Sequence, residues 1–387
     1  MPSQRVLVTG SQGFIGKNLV VRLQESGCEA VRFDRGADIE SLPALLGKVD
    51  AVVHLAGENR PAQLADFTTG NAELTTSLCR AVENSGRAIP LILASSFHAA
   101  SHDAPGTSEF HRSYGRSKHQ AEQAVEALAA RGNPAAIYRL AGVFGKWCRP
   151  NYNSVVATFC HNIANGLPIQ VNDRSTPVQL VYVDDVVSEF LRALQGMASG
   201  LTRGAVAPEY NTTLGELADR IQSFRECRTN LTVDRVGTGL IRALYAAYVS
   251  YLPPADFAYD LPCDGDARGI FVELLKTTDS GQFSFFTAHP GVTRGGHYHH
   301  TKTEKFVVVK GTARFGFRHI LTDERHDIVA SGDAPRVVET VPGWAHDITN
   351  IGTDEMVVLL WANEVFDKQR PDTIMAPVAL STTGTHA

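Results

Sequence analysis

The chain has 387 residues, 43% of them hydrophobic and 20% charged, with a formal net charge of −5. That length exceeds one ordinary core and predicts two domains of a soluble globular protein. The mild negative balance, with no run of Lys or Arg, provides no field for nucleic acid or an anionic membrane surface.

Six cysteines (Cys28, Cys79, Cys148, Cys160, Cys227, Cys263) are scattered without a C-x-x-C pair, as expected of reduced thiols in a cytoplasmic protein. A strand pattern begins at Arg5, leaving no room for a signal sequence. The apolar stretch from Leu240 to Leu252 contains Arg242 and is too short for membrane insertion.

In chain order, Val6 to Val8 reads as a first strand, followed by glycines and a helix from Ile15 to Ser26. Further strands are predicted at 30–33, 51–55, 91–94 and 136–139, with a long helix over 117–131. Short apolar strands alternating with helices predict a doubly wound parallel sheet. Past about residue 250 the texture changes. Pro253, Pro254 and Pro262 punctuate the chain, and short strands follow at 271–275, 283–288, 305–309, 313–317, 337–341 and 356–361. That spacing predicts an all-β sandwich or barrel. The expected division is 1–255, 256–370 and a loose small-residue tail over 371–387.

The string Thr9-Gly10-Ser11-Gln12-Gly13-Phe14-Ile15-Gly16 lies between a strand and a helix. Gly10 suits a tight turn, Gly13 close approach to a pyrophosphate, and Gly16 close helix–strand packing. Phe14 and Ile15 open the helix whose N-terminal amides face a phosphate. Asp34 ends the second strand, where an acid accepts hydrogen bonds from an adenosine ribose. Arg35 beside it suits a 2′-phosphate, which points to NADPH, with NADH left open by Asp34.

Tyr114 and Lys118 form a Y-x-x-x-K at the start of the predicted helix, on one helical face. The ammonium should pull the phenol below its ordinary value near 10. The phenol could then protonate the alkoxide formed as hydride reaches a ketone. Ser96, at the end of a strand, is placed to bond the same oxygen.

The glycine turn, the run from Asp50 to Gly57, Ser96, Y-x-x-x-K and the Y-V-D-D of residues 182–185 together resemble the extended short-chain dehydrogenases/reductases. The resemblance implies nucleotide-sugar substrates and a triad of Ser96, Tyr114 and Lys118. It also implies a cofactor lined by His54, Leu55, Ala56 and Gly57. Dehydratases of that family carry an acid after the triad Ser or Thr. Here Phe97 and His98 follow Ser96, which argues against dehydration. The arginine often set before Y-V-D-D to hold the nucleotide diphosphate is missing, with Arg174 or Arg149 as substitutes. The distinctive segment 146–154 adds Asn151 and Asn153 as candidate substrate contacts.

The second domain carries His297, His299, Glu304 and Gly311, then Pro342-Gly343 and His346 before Asn350. Histidines two apart on a strand face the same side. Three imidazoles and a carboxylate suit a divalent transition metal with open positions for water or substrate. Zinc fits a non-redox role, and Fe(II), Mn(II) or Ni(II) fit the same ligands. The pattern resembles both cupin motifs, although Pro342 and Gly343 are adjacent where a residue usually intervenes. His300 competes with His299 as a ligand.

A reductase and a cupin of these kinds in one chain resemble the bifunctional capsular polysaccharide synthesis enzymes. The resemblance implies C3 epimerisation of a UDP-2-acetamido-2,6-dideoxy-4-keto-hexose in the cupin, then NADPH-dependent C4 reduction in the front domain. The product would be UDP-N-acetyl-6-deoxy-L-talosamine, on the way to UDP-N-acetyl-L-fucosamine for capsule or O-antigen. Chemistry supports the order, because the C3 proton is acidic only while C4 is a ketone. Tyr298, Lys302 and Lys305 stand near the motif, and the C3 base stays open among them. A homodimer is the expected assembly. The competing readings are a UDP-sugar 4-reductase or 4-epimerase with a purely structural cupin, and an NAD(P)-sensing regulator.

Overall fold

The structure, a computed structural model, describes residues 4–367 and 369–379. One compact unit holds the described residues up to Gln222 together with Arg242–Pro253. A second holds Ser223–Ile241 and the described residues from Pro254 onward. The expected boundary near 255 therefore needs correction for Ser223–Ile241. That segment joins the second unit because Thr232 and Val233 pair with Lys276 and Thr277 as an added strand.

The first unit has strands β1 (Arg5–Thr9), β2 (Glu29–Phe33), β3 (Ala51–His54), β4 (Leu91–Ser96), β5 (Ala135–Leu140), β6 (Gly142–Phe144), β7 (Pro177–Tyr182), β8 (Leu201–Gly204) and β9 (Glu209–Thr213). Its helices are α1 (Phe14–Glu25), α2 (Leu42–Leu46), α3 (Leu74–Asn84), α4 (His98–Ser101), α5 (Glu109–Ala130), α6 (Val155–Ala164) and α7 (Val183–Leu194), with the start of α8 (Leu214–Asn230) and most of α9 (Gly239–Val249). Six strands form a parallel sheet in the order β2-β1-β3-β4-β5-β8.

Alternation along each strand feeds two cores. Val6, Val8, Val53 and Ile92 pack with Leu19, Leu23, Val187 and Phe190 of α1 and α7. Leu7, Val52, Leu91 and Leu93 pack with Leu46, Leu78, Val125 and Leu128 of α2, α3 and α5. The strand order reverses direction between β1 and β3, and a crevice opens there beyond the strand ends, where doubly wound sheets bind ligands.

Helix α5 begins at Glu109, eight residues before the predicted start, so Tyr114 and Lys118 lie inside it. Ser108 caps it, its hydroxyl accepting the His111 N–H at 3.3 Å. A carboxylate anchors this helix: the Glu122 side chain is fully buried and bound by Arg139 Nη2 at 2.6 Å and Ser95 Oγ at 2.5 Å. The two partners are register neighbours, Ser95 on β4 and Arg139 on β5. Burial would raise the Glu122 carboxyl, but Arg139 and Ser95 hold it below its ordinary value, so it stays charged.

The second unit is built from β10 (Thr232–Val233), β11 (Asp264–Asp266), β12 (Gly269–Thr277), β13 (Gln282–Ala288), β14 (Thr293–Tyr298), β15 (Glu304–Lys310), β16 (Thr312–His319), β17 (Arg325–Ser331), β18 (Val337–Glu339), β19 (Trp344–Asn350), β20 (Met356–Ala362) and β21 (Ile374–Met375). One sheet runs β10-β12-β13-β20-β15-β18, with β11 on β12, and the other runs β17-β16-β19-β14-β21. Phe286, Phe306 and Val358 from the first sheet meet Phe315, Phe317 and Ile348 from the second, a sandwich core.

Every predicted strand has a counterpart, but β6 to β11, β17 and β21 were not predicted; β17, for one, opens on the exposed polar run Arg325-His326-Asp327 and lacks an apolar stretch long enough to mark it. The expected loose tail also needs correction at its start. Ile374 and Met375 pair with Tyr298 and His297 of β14, while 380–387 lie outside the described residues. All six cysteines are free thiols, and no helix among the described residues is long and apolar enough to cross a membrane.

Replacing Glu122 by Ala should destabilise the first unit by about 3 kcal/mol, since removal strands part of the Arg139 charge. Arg139 keeps some access to water, which holds the loss to the low end. Chemical denaturation of the two proteins side by side measures it, and equal midpoints would refute the anchoring role.

Candidate functional site

The crevice at the end of β1 and β3 is a cleft of about 610 Å³ joined to a second pocket of about 520 Å³, the two sharing Gln12, Gly13, Arg35, Leu55, Gly57 and Glu58. Gly10 takes φ +68°, and a Cβ there would lie 2.8 Å from the Ala56 nitrogen. At Gly16 a Cβ would meet the Gly10 carbonyl oxygen at 2.2 Å, so α1 can pack this close only through glycine. Gly13, Phe14, Ile15, Arg35, Leu55 and Gly57 line the cleft, while Gly10, Asp34 and Ala56 line the adjoining pocket. Gly16 lines neither; its role is packing.

Asp34 and Arg35, both on the lining of the adjoining pocket, also have partners within the chain. The Asp34 carboxylate accepts Ser11 Oγ at 2.6 Å and the Gln12 N–H at 3.1 Å, so it braces the glycine turn itself. Arg35 extends into solvent and bonds Glu58 at 2.5 Å. His54, expected to line the cofactor, is instead buried beneath it. Its ring bridges Thr9 Oγ1 at 2.6 Å and Thr75 Oγ1 at 2.9 Å, and burial followed by the Lys118 charge depresses its pKa to about 3. A neutral imidazole locked between two hydroxyls ties β1 to α3. Thr9 Oγ1 also accepts the Leu55 and Ala56 N–H groups, each at 3.1 Å, which shapes the cleft floor.

Ser96, Tyr114 and Lys118 all line the cleft. Lys118 Nζ donates to the Ala94 carbonyl at 2.7 Å. Burial lowers the Lys118 ammonium to about 8, with Glu122 one helical turn on pulling the other way. The phenol behaves contrary to expectation. Burial raises Tyr114, and a hydrogen bond with Ser96 opposes it. The physical reason is the desolvation of the phenol, which outweighs that hydrogen bond. A raised phenol stays protonated through neutral pH, the state a proton donor requires.

Of the substrate candidates, Arg149 and Asn153 line the cleft. Arg149 stacks over the Tyr152 ring at 5.0 Å. Asn151 lies off the cleft lining, held at φ +53° with its N–H donating to Thr158 Oγ1 at 3.0 Å. Arg174 is engaged elsewhere, paired with Asp219 at 2.6 Å. The sequence reading missed two stacked imidazoles at the cleft, His98 and His111, with centroids 4.9 Å apart. It also missed Asn71, whose amide bonds Glu58 O and Ser117 Oγ, both at 3.0 Å. Only Glu122, spaced four residues after Lys118, left a readable sign.

In the second unit, a bulge between Gly295 and His297, at glycines with φ +92° and +81°, sets His297 opposite His346. One ligand atom each from His297, His299, Glu304 and His346 falls within 4.8 Å of the others. Glu304 Oε2 lies 3.2 Å from His299 Nε2 and 3.4 Å from His346 Nε2, while Lys302 Nζ reaches Glu304 Oε1 at 2.8 Å. Both His346 nitrogens are buried without a hydrogen-bond partner. Burial, then His346 and His299, lowers His297 to about 4, leaving the neutral ligand form. Buried orphan nitrogens facing a carboxylate are what a divalent cation would satisfy, so the residues fit one.

His300 stands outside the cluster, its ring packed on Tyr298 at 5.4 Å. Lys305 turns outward to Glu339.

Comparison with known proteins follows the same division. Residues 6–207 match the NAD dependent epimerase/dehydratase family, and residues 264–374 match the polysaccharide biosynthesis C-terminal domain. The chain is 54% identical over 376 residues to the UDP-2-acetamido-2,6-beta-L-arabino-hexul-4-ose reductase of Pseudomonas aeruginosa, covering 97% of this chain and 99% of that protein. The crystal structure of the capsular polysaccharide assembling protein CapF from Staphylococcus aureus superposes with TM-score 0.85 at 40% identity, over 96% of this chain and all of that one. A further match, at 25% identity and TM-score 0.50 over 57% of this chain and 81% of that one, is MoeE5 in complex with UDP-glucuronic acid and NAD. The glycine turn, the placement of Ser96, Tyr114 and Lys118 at the cleft and the two-domain coverage agree, and the chain belongs to the NAD dependent epimerase/dehydratase family, in the form that carries a polysaccharide biosynthesis C-terminal domain.

Proposed function

We propose that the chain acts on a UDP-2-acetamido-2,6-dideoxy-4-keto-hexose, epimerising C3 in the second unit and reducing C4 in the first. The product is UDP-N-acetyl-6-deoxy-L-talosamine, for capsule or O-antigen polysaccharide. The reading rests on one combination: Ser96, Tyr114 and Lys118 at a dinucleotide-binding crevice, in a chain 54% identical to a reductase of a UDP-acetamido-dideoxy-4-keto sugar. The cytoplasm, where free thiols and NADPH coexist, is the site of action, with a homodimer as the assembly.

NADPH supplies the hydride for C4. Arg35 at the mouth of the pocket, with the Asp34 oxygens committed to the turn, favours a 2′-phosphate over a free ribose hydroxyl. Tyr114 gives its proton to O4 as C4 becomes tetrahedral, and Ser96 holds the same oxygen. Lys118 carries the cofactor ribose and places a positive charge near the phenolate left behind. Arg149 and Asn153 take polar groups of the nucleotide sugar.

In the second unit, His297, His299, Glu304 and His346 would hold a divalent metal, zinc being the natural fit for a reaction without electron transfer. Such an ion supplies Lewis acidity toward a carbonyl oxygen. Tyr298 or Lys302, which stand near the cluster, would take the C3 proton as base while the electron pair moves into the C4 carbonyl as an enolate, and a solvent-exchanged proton would return to C3 on the other face. Reduction comes last because it removes the carbonyl that makes C3 acidic.

Tyr114→Phe should lower NADPH oxidation with the keto-sugar nucleotide by about 10²–10⁴-fold with NADPH binding retained; steady-state kinetics with fluorescence titration of NADPH decides it. The Lys118 ammonium is present below its pKa of about 8 and lost above it, so kcat/KM for reduction should fall as pH rises through that value. A flat profile from pH 7 to 9.5 would contradict the role of Lys118. Epimerisation is read by NMR in heavy water without NADPH: deuterium should enter at C3. If C3 keeps its proton while C4 is still reduced once NADPH is added, the second unit is structural only.

A further inference from the structure

The segment after Pro371, expected to be loose, is fastened to the metal cluster at one residue. Asp372 Oδ1 accepts the His300 N–H at 2.9 Å, and Oδ2 accepts the Thr301 and Lys302 N–H groups at 2.7 and 2.8 Å. The Thr301 hydroxyl adds a bond at 3.1 Å. Three successive amides converge on one carboxylate, so the turn between His299 and Glu304 is wrapped around Asp372. Beyond it, Ile374 and Met375 pair with Tyr298 and His297, and the Ala376 N–H donates to the Gly296 carbonyl at 2.9 Å. Arg318 Nε then donates to the Pro377 carbonyl at 3.0 Å, and Val378 is buried.

The same residue addresses a cluster histidine directly. His299 Nδ1 makes a short hydrogen bond to the Asp372 backbone carbonyl. A carbonyl only accepts, so Nδ1 carries the proton and Nε2 keeps its lone pair. That lone pair faces Glu304 Oε2 at 3.2 Å. Two acceptors at that separation repel unless a proton or a metal cation lies between them.

We infer that Asp372 is a positioning residue of the metal site: its carboxylate pins the C-terminal strap onto residues 300–302, and its carbonyl fixes the His299 tautomer and ring for coordination through Nε2. Outer partners of this type orient ligands and typically govern metal affinity by about 10–100-fold. The inference rests on the metal reading above and is separable from it. A strap that only covered the edge of β14 would need neither the converging amides nor the bond to His299.

The test uses the full-length chain, with zinc affinity measured by chelator competition and the cobalt(II)-substituted site followed by visible absorption. Wild type should bind one zinc. D372A should bind at least about 10-fold more weakly, with a shifted cobalt spectrum and unchanged circular dichroism and NADPH binding. D372N, which keeps one acceptor oxygen, should fall between, and it carries the comparison if D372A fails to fold. Equal zinc affinity and an identical cobalt spectrum in wild type and variant would overturn the inference alone. A wild-type chain that binds no metal would overturn the site reading and this inference together.

Discussion

The chemistry of the first unit depends on one buried carboxylate. Glu122 sits without solvent in the middle of the helix that carries Tyr114 and Lys118, held by Ser95 and Arg139 from two neighbouring strands. Three consecutive residues at the end of β4 then meet that helix: Ala94 through its carbonyl to Lys118, Ser95 to Glu122, and Ser96 to Tyr114. A parallel sheet aligns strand ends but leaves the helix free to slide along them. The ion pair removes that freedom, because unpairing a buried charge costs more than any local contact it could gain by moving.

This arrangement also explains the electrostatics of the cleft. Burial pushes the phenol up and the ammonium down, and both shifts disfavour charge in a dry site. A tyrosine that stays protonated is suited to giving a proton to a newly formed alkoxide. His54, kept neutral between two threonines, adds no competing charge beneath the glycine turn. The cleft therefore presents the Lys118 ammonium and a protonated Tyr114 phenol on its lining.

The second unit follows a different logic, with ligands drawn from three strands of a sandwich and a turn. The bulge at Gly295 and Gly296 brings His297 level with His346, and the turn around Asp372 orients His299 toward Glu304. Strand pairing alone would place the histidines on one face. The convergence of four ligand atoms needs the irregularities: a bulge, a tight turn and a strap.

Much was legible in the amino-acid order. The glycine turn, Tyr114 with Lys118, and the spacing of His297, His299, Glu304 and His346 are local or near-local patterns whose chemistry demands those residues at those intervals. Strand positions were readable for a similar reason, since burial on both faces leaves an unbroken apolar run. What the sequence left hidden has a common cause: Asp34 bonds Ser11, Arg174 pairs with Asp219, and Asp372 holds a turn some seventy residues earlier, each partner distant in sequence. A polar side chain advertises what it can bond but not what it will, and only the folded chain, by bringing remote donors and acceptors within 3 Å and excluding water, decided between ligand contact and internal brace.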